Sequence, residues 1–237
     1  MIVSEEEGDK DKEFKSREIV LPGELIGNEQ LMHGSGTYKV ANNIYASIVG
    51  IKNIRANYVS VIPLEGRYIP KVGDSLVGKI IDVTPNLWIV DINSPYTAVL
   101  YITEVPWRVE FGNTAKFLNI NDTILCDVLS VDEAKRVQVT MTKGSKKLVG
   151  GQIIEVAPSR VPRVIGKSAS MLTLIKNYTK CRIFVAQNGR IWLEGGAENV
   201  RLAVMAIKKI EKESYTTGLT ERIQKFLEIS VKGEKWS

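Results

Sequence analysis

The sequence contains only one histidine and two cysteines among 237 residues, and each shortage excludes a class of protein. Cys126 and Cys181 lie far apart in apolar, strand-like segments, which fits neither a disulfide framework nor a zinc site. A single histidine, without carboxylates at metal-ligand spacing and without a Gly-x-Ser-x-Gly elbow, provides no catalytic set. We therefore expect a protein that is not an enzyme and that holds no metal or cofactor.

Long apolar runs are also missing from the sequence. No stretch of about eighteen apolar residues occurs, and residues 1–18 are rich in charge where a signal peptide would have its apolar segment. We expect a cytoplasmic protein without a membrane span, whose first 18 residues form a flexible arm.

Charge is distributed unevenly along the chain. Residues 1–142 contain 14 Lys and Arg against 19 Asp and Glu, whereas residues 143–237 contain 18 against 8. A local excess of positive charge attracts polyanions through counterion release, so RNA or DNA is the expected partner of the C-terminal part. Charge alone would fit solvated, lysine-rich helices equally well.

Turn residues and short β-prone runs divide the first 142 residues into two β-rich regions. In residues 19–65, the runs at 45–49 and 58–62 predict a small β module. In residues 66–142, five strands are predicted, at 76–83, 87–92, 98–102, 123–131 and 136–141. Five strands with tight first and last hairpins, and a long link at 103–122 with room for a helix, predict an OB-type barrel.

Residues 143–237 combine alternating and helical apolar spacing, which predicts a mixed α/β domain. The expected elements are a strand at 152–156, a helix at 170–178 and a hairpin at 182–186 and 190–194. Two amphipathic helices follow, and we expect their apolar faces to pack into the core. These faces consist of Val200, Ala203, Val204, Ile207 and Ile210 in the first helix, and of Leu219, Ile223, Phe226 and Leu227 in the second.

The segment Val164-Ile165-Gly166-Lys167-Ser168-Ala169-Ser170 precedes a predicted helix and resembles the Gly-x-x-Gly loop of KH domains. In that family the loop presents backbone amides at a helix end to the nucleic-acid backbone. The resemblance implies an α/β KH domain with an extra C-terminal helix, and RNA contacts from Gly166, Lys167, Ser168 and Ala169, with Arg163 beside them. Ala169 replaces the family's second glycine, and its methyl group restricts the dihedral angles of the loop. The Gly-Lys-Ser tripeptide is not part of a P-loop, because Val161 stands where the leading glycine is required.

Residues 66–142 resemble the S-one domain, the RNA-binding repeat of ribosomal protein S-one. The matching segments are Val72-Gly73-Asp74, Val77-Gly78-Lys79-Ile80, Ala98-Val99-Leu100-Tyr101-Ile102-Thr103-Glu104 and Asn121-Asp122-Thr123. In this family, aromatic and basic side chains on one barrel face bind single strands. The resemblance implies that Tyr101 stacks on a base. Trp88, which could face either RNA or the core, and Trp107, Arg108 and Lys116 are further candidates for RNA contacts.

The N-terminal β module resembles the start of the exosome's cap proteins, through Val20-Leu21-Pro22-Gly23-Glu24 and His33-Gly34-Ser35-Gly36-Thr37-Tyr38. With an S-one and a KH domain following in that order, residues 19–230 resemble the archaeal exosome's RNA-binding cap subunit, a relative of ribosomal-RNA-processing protein four. This resemblance implies that the module at 19–65 docks on a ring of RNase PH-like subunits. It also implies three copies per ring, alone or mixed with the zinc-ribbon cap protein, which guide 3′ ends of single-stranded RNA to phosphorolytic sites.

Three other functions stay open at this point. A free-standing transcription or translation factor can also join S-one and KH domains, and the chain could serve chiefly as an assembly scaffold. Polynucleotide phosphorylase carries both domains as well, but in the opposite order and beside a catalytic domain for which residues 1–65 are too short.

Overall fold

The described residues form two compact units, with the division after Leu64. The computed structural model describes residues 18–55, 57–64, 66–142, 144–214, 216 and 218–232. The flexible arm predicted for residues 1–18 therefore lies outside the described residues, except for Glu18. Among the described residues, no helix is both long and apolar enough to cross a membrane.

The first unit consists of two small β-sheets over one apolar core. Its strands are β1 (Ile19–Val20), β2 (Leu25–Asn28), β3 (Met32–His33), β4 (Thr37–Val40), β5 (Asn43–Ala46), β6 (Gly50–Arg55) and β7 (Tyr58–Pro63). The strand orders are β1-β6-β7-β3 and β2-β5-β4. The core contains Val20, Ile26, Ile44, Ala46, Val59 and Val61. The predicted strand at 58–62 is confirmed, whereas the one at 45–49 is confirmed only for its first two residues, because the chain bends at 47–49 before it enters β6.

The first part of the second unit is a closed five-stranded barrel, as the sequence predicts. Its strands are β8 (Ser75–Val83), β9 (Leu87–Asp91), β10 (Ala98–Tyr101), β11 (Thr123–Val131) and β12 (Val137–Thr140). Parallel pairing of β10 with β12 closes the barrel, and all other neighbours pair antiparallel. The inward side chains alternate along each strand, as a filled barrel requires.

The link between β10 and β11 corrects one prediction. Instead of a helix with several turns, it contains two single 3-10 turns, at Ile102–Glu104 and Thr114–Lys116. Pro106 lacks a backbone donor, and Gly112 has a φ of +84°, which leaves the helical region. Val105, which precedes Pro106, is extended, so the first turn ends there, and Gly112 lies outside the helical region just before the second turn.

The second part of the unit is an α/β domain with a three-stranded sheet. A short strand β13 (Lys147–Leu148) pairs with β11 and leads into the domain. Its own elements are β14 (Gln152–Glu155), α1 (Val161–Ile165), α2 (Ser170–Thr179), β15 (Arg182–Val185), β16 (Arg190–Glu194), α3 (Ala197–Lys212) and α4 (Leu219–Lys232). The antiparallel sheet has the order β14-β16-β15. The predicted order of elements is confirmed, and Leu219, Ile223 and Leu227 pack into the core as expected.

The turn between β15 and β16 joins this domain to the barrel. Asn188 is fully buried, and its Nδ2 atom donates hydrogen bonds to the backbone oxygens of Val77 and Ile92, each at 2.9 Å. In the opposite direction, Asn93 Nδ2 donates to the backbone oxygen of Asn188 at 3.0 Å. Gly189 has a φ of +82°, and a Cβ there would lie 2.2 Å from the backbone oxygen of Val156. The turn therefore requires glycine at 189, and the contact between the two domains, which we call the joint, requires asparagine at 188.

Charged groups strengthen the same joint. Arg190 donates from Nη2 to Asp91 Oδ2 at 2.5 Å and from Nε to Glu155 Oε1 at 3.0 Å. Burial favours the neutral form of Asp91, but the hydrogen bonds from Arg190 and from the Asn93 N–H outweigh it, so the pKa of Asp91 lies below its ordinary value. A small apolar cluster of Val77, Leu148, Ala186 and Trp192 completes the contact.

Candidate nucleic-acid interface

The loop between α1 and α2 has the sharp course that the KH resemblance implies. Gly166 adopts a φ of +76°, and a Cβ there would lie 2.8 Å from both the backbone nitrogen and the Cβ of Met171. Glycine at this position lets the chain leave α1 and pass close to the start of α2. The four residues 166–169 are thereby brought together on a short connection between two helices.

Two residues without the freedom of glycine complete this loop in the left-handed region. Ser168 has a φ of 50° and Ala169 a φ of 60°. Each such residue costs roughly 1 kcal/mol relative to a right-handed conformation. Ala169 thus follows a backbone path suited to the glycine of the family pattern, and its methyl group is partly buried.

Positive side chains surround the loop. Lys167 is exposed, and so is Arg163 on α1, which donates from Nη2 to the Thr216 oxygen at 3.1 Å. That hydrogen bond holds the guanidinium group beside the loop. The structure thus groups Arg163 with Gly166, Lys167, Ser168 and Ala169 in one cationic surface, which we name the KH loop surface.

On the barrel, Tyr101 is the last residue of β10 and lies opposite Leu87 of β9. Tyr101 is 38% exposed, so part of the residue is accessible to a ligand. The position is compatible with stacking on a base.

Trp88 is a correction to the list of candidate RNA contacts. Its side chain is fully buried in the barrel core, and Nε1 donates to the Leu118 oxygen at 3.1 Å. The indole group therefore fastens the link to the barrel and is not available for stacking. Side chains alternate between the two faces of β9, so the neighbouring Leu87 and Ile89 are half-buried on the outer face.

The remaining three candidates lie in the link. Trp107 is half-buried and stacks on Phe117, with ring centroids 6.0 Å apart and planes 13° from parallel. Arg108 and Lys116 are exposed. Sequence reasoning missed Phe111 and Phe117, although both are aromatic residues on the same irregular segment as the cations it selected.

Metal binding and thiol chemistry can be judged within the ranges that the structure describes. Within those ranges, no group of three or more His, Cys, Asp or Glu side chains is placed to hold a metal ion. Cys126 and Cys181 are buried and unpaired. Burial raises the pKa of the Cys126 thiol to about 12. Cys126 is therefore a neutral core residue and not a nucleophile.

A barrel with an exposed aromatic residue, joined to an α/β domain with a cationic loop, defines a class of single-stranded RNA-binding proteins. Comparisons with family models narrow this class. Residues 17–65 match the exosome RNA-binding protein RRP4 N-terminal domain, residues 67–130 match the RRP4 S1 domain (the S-one domain above), and residues 151–199 match the KH domain.

Individual proteins agree with these matches. The exosome complex component Rrp4 of Thermoplasma acidophilum is 42% identical over 221 residues, 92% of this chain and 93% of that protein. That of Thermococcus kodakarensis is 43% identical over 221 residues, 90% and 86% of the two chains. A crystal structure of a protein described as an exosome complex RNA-binding protein superposes with a TM-score of 0.65 at 40% identity, over 71% of this chain and 98% of the other. The chain belongs to the Rrp4 family of exosome components.

This membership confirms the resemblance on which the sequence interpretation rests. It also confirms the predicted class: an Rrp4-family chain with S1 and KH domains is an RNA-binding exosome component and not an enzyme.

Proposed function

We propose that this chain is a cap subunit of the archaeal exosome, which binds single-stranded RNA and guides its 3′ end into a ring of RNase PH-like subunits. Phosphorolysis in the 3′-to-5′ direction would take place in that ring. The observation that carries the proposal is the combination of Tyr101 on the barrel and Lys167 on the KH loop surface within one compact unit. One strand can then be held by base stacking and by phosphate pairing together.

The joint between barrel and KH domain supports this use. Buried hydrogen bonds from Asn188 and the ion pair between Arg190 and Asp91 fix the two domains relative to each other. A fixed arrangement lowers the entropy lost when one RNA strand contacts both domains.

The first unit supports docking on the ring. Several of its large apolar side chains are exposed, although its core is small. They are Ile19, Leu21, Leu25, Met32, Val40, Val49, Tyr58 and Ile62. A contiguous exposed apolar patch is typical of a surface that another protein covers, and we propose that these side chains contribute to one.

The finer features of the proposal are the copy number and the location. We propose three copies per ring, alone or mixed with the zinc-ribbon cap protein, in the cytoplasm. The free-standing S1 and KH factor is the alternative, and it predicts no association with a ring.

Co-expression with RNase PH-like subunits tests the proposal. We expect the tagged wild-type chain to co-purify with the ring, and the pure chain to bind single-stranded RNA without shortening it, with or without phosphate. Leu25→Glu should weaken co-purification because it places a charge in the exposed apolar surface, whereas Met205→Glu, on the exposed side of α3, should not. A chain that binds RNA but never associates with the ring would favour the free-standing factor, and shortening of RNA by the pure chain would contradict the non-catalytic role.

A further inference from the structure

Phe111, in the link between β10 and β11, is unexpectedly open to solvent. Its side chain is 75% exposed, more than any other large apolar side chain in the part of the chain that the structure describes. A single exposed apolar residue needs no explanation by itself. Phe111 calls for an explanation because hydrogen bonds fix its backbone to the barrel and because a second aromatic residue and two cations lie nearby.

The segment around Phe111 is tied to the barrel. The Gly112 N–H donates to the Pro85 oxygen at 2.9 Å, and Thr114 Oγ1 donates to the Thr84 oxygen at 2.7 Å. Phe111 is the second residue of a tight turn, in which the Asn113 N–H donates to the Glu110 backbone oxygen at 3.0 Å. The exposed ring is thus carried by fixed backbone, so little entropy would be lost on binding.

Tyr101 lies at the same end of the barrel. The backbone N–H of its neighbour Ile102 donates to the Asn86 oxygen at 3.3 Å. Because Pro85 and Asn86 are the two residues of the turn between β8 and β9, the segments that carry Tyr101 and Phe111 flank one turn. Two exposed aromatic side chains therefore lie at one rim of the barrel.

The surroundings favour nucleic acid as the partner. Arg108 and Lys116 are exposed on the same link, and the nearby Glu110 carboxylate is engaged by Asn113 Nδ2 at 3.3 Å. Aromatic rings beside cations are the combination that binds single strands, because every base presents a π face and every nucleotide a phosphate. Phe117, stacked on Trp107, extends the aromatic surface of the link.

We propose that Phe111, together with Tyr101, forms a stacking platform for consecutive bases of a single-stranded RNA at the rim of the β8–β9 turn. This inference rests on the proposed RNA-binding function and adds a contact to it. Stacking at the barrel rim would bind RNA regardless of its base sequence. Phe111 would make the larger contact because Tyr101 is only half as exposed.

The test measures the affinity of the full chain for a fluorescently labelled single-stranded oligoribonucleotide at two salt concentrations. The variants are Phe111→Ala, Phe111→Leu and Phe111→Tyr. The matched control is Leu129→Ala, an exposed apolar residue of β11. Leu129 lies beyond the Asp127–Ser75 pair, at the barrel end opposite the β8–β9 turn.

We expect Phe111→Ala to lower the affinity at least about fivefold, since stacking on one aromatic side chain typically contributes that much or more. Phe111→Tyr should bind RNA with the wild-type affinity because it keeps an aromatic ring. Phe111→Leu should bind as weakly as Phe111→Ala because it does not. The salt dependence should stay unchanged in all variants because no charge is removed. Leu129→Ala should bind like the wild type.

Several outcomes would overturn the inference. Full affinity of Phe111→Ala would exclude stacking at this residue while leaving the proposed function intact. Wild-type RNA affinity of Phe111→Leu would mean that the site needs only an apolar side chain and no aromatic ring, which contradicts base stacking. Failure of the wild-type chain to bind any RNA would overturn the proposed function, and the stacking platform with it.

Discussion

The barrel and the KH domain differ in the chemistry that they offer to the same polyanion. Residues 67–142 contain 7 Lys and Arg against 9 Asp and Glu, whereas residues 143–237 contain 18 against 8. The barrel exposes aromatic rings at Tyr101 and Phe111, and the KH loop surface exposes Lys167 and Arg163. On the proposed function, the barrel would hold bases with little dependence on salt, and the KH domain would hold phosphates with strong dependence on salt.

The two domains nevertheless share one joint, and that joint depends on a neutral residue. Asn188 satisfies two barrel carbonyl groups from within the KH hairpin, without access to water. The ion pair between Arg190 of the KH domain and Asp91 of the barrel adds a charged contact to this neutral one. Three changes test this picture, in decreasing order of expected effect.

The largest effect should follow from Asn188→Ala. This change leaves the oxygens of Val77 and Ile92 without donors, which should lower the free energy of unfolding by about 3 kcal/mol. Chemical denaturation of the full chain measures the loss. Asn177→Ala, on the exposed face of α2, should cost little. Equal stability of the Asn188→Ala chain and the wild type would mean that the joint does not depend on this side chain.

A smaller, pH-dependent effect should follow from Asp91→Asn. The pKa of Asp91 is depressed in the folded state, so the stability from its pair with Arg190 is present above the unfolded pKa of about 4 and is lost as pH falls through the folded pKa. The melting temperature of Asp91→Asn should be below that of the wild type at pH 7, and the gap should close below about pH 4.

Glu133→Gln serves as the control for that experiment because Glu133 lies exposed in the turn between β11 and β12. Its melting temperature should follow the wild type at every pH. A gap for Asp91→Asn that stays constant between neutral and acidic pH would contradict the assigned role of the carboxylate.

The arrangement of elements in the second unit could be predicted from the sequence because its periodicities are clear. In α3 and α4 the apolar residues recur at helical spacing, and the hairpin around Asn188-Gly189 has a strong turn signal. The barrel strands were bounded by turn residues, so their number was predictable as well. The helix expected in the link was wrong because a long connection with Pro106 and Gly112 can also be filled by single turns.

Features that depend on contacts between distant residues could not be predicted in this way. Every residue from Leu87 to Val90 is apolar, so alternation could not decide whether Trp88 faces the core. The role of Asn188 depends on a partner 111 positions earlier in the chain. The exposure of Phe111 depends on hydrogen bonds that fix the link to the turn at Pro85, and no local pattern encodes them.

The most direct test of the central claim is the salt dependence of single-stranded RNA binding by the full chain after Lys167→Ala. Removing one phosphate contact should lower the slope of log affinity against log salt by about 0.7, and the loss of affinity should be largest at low salt. Lys225→Ala, an exposed charge change on α4, should leave the slope near the wild-type value. An unchanged slope and affinity for Lys167→Ala would contradict phosphate binding by the KH loop surface.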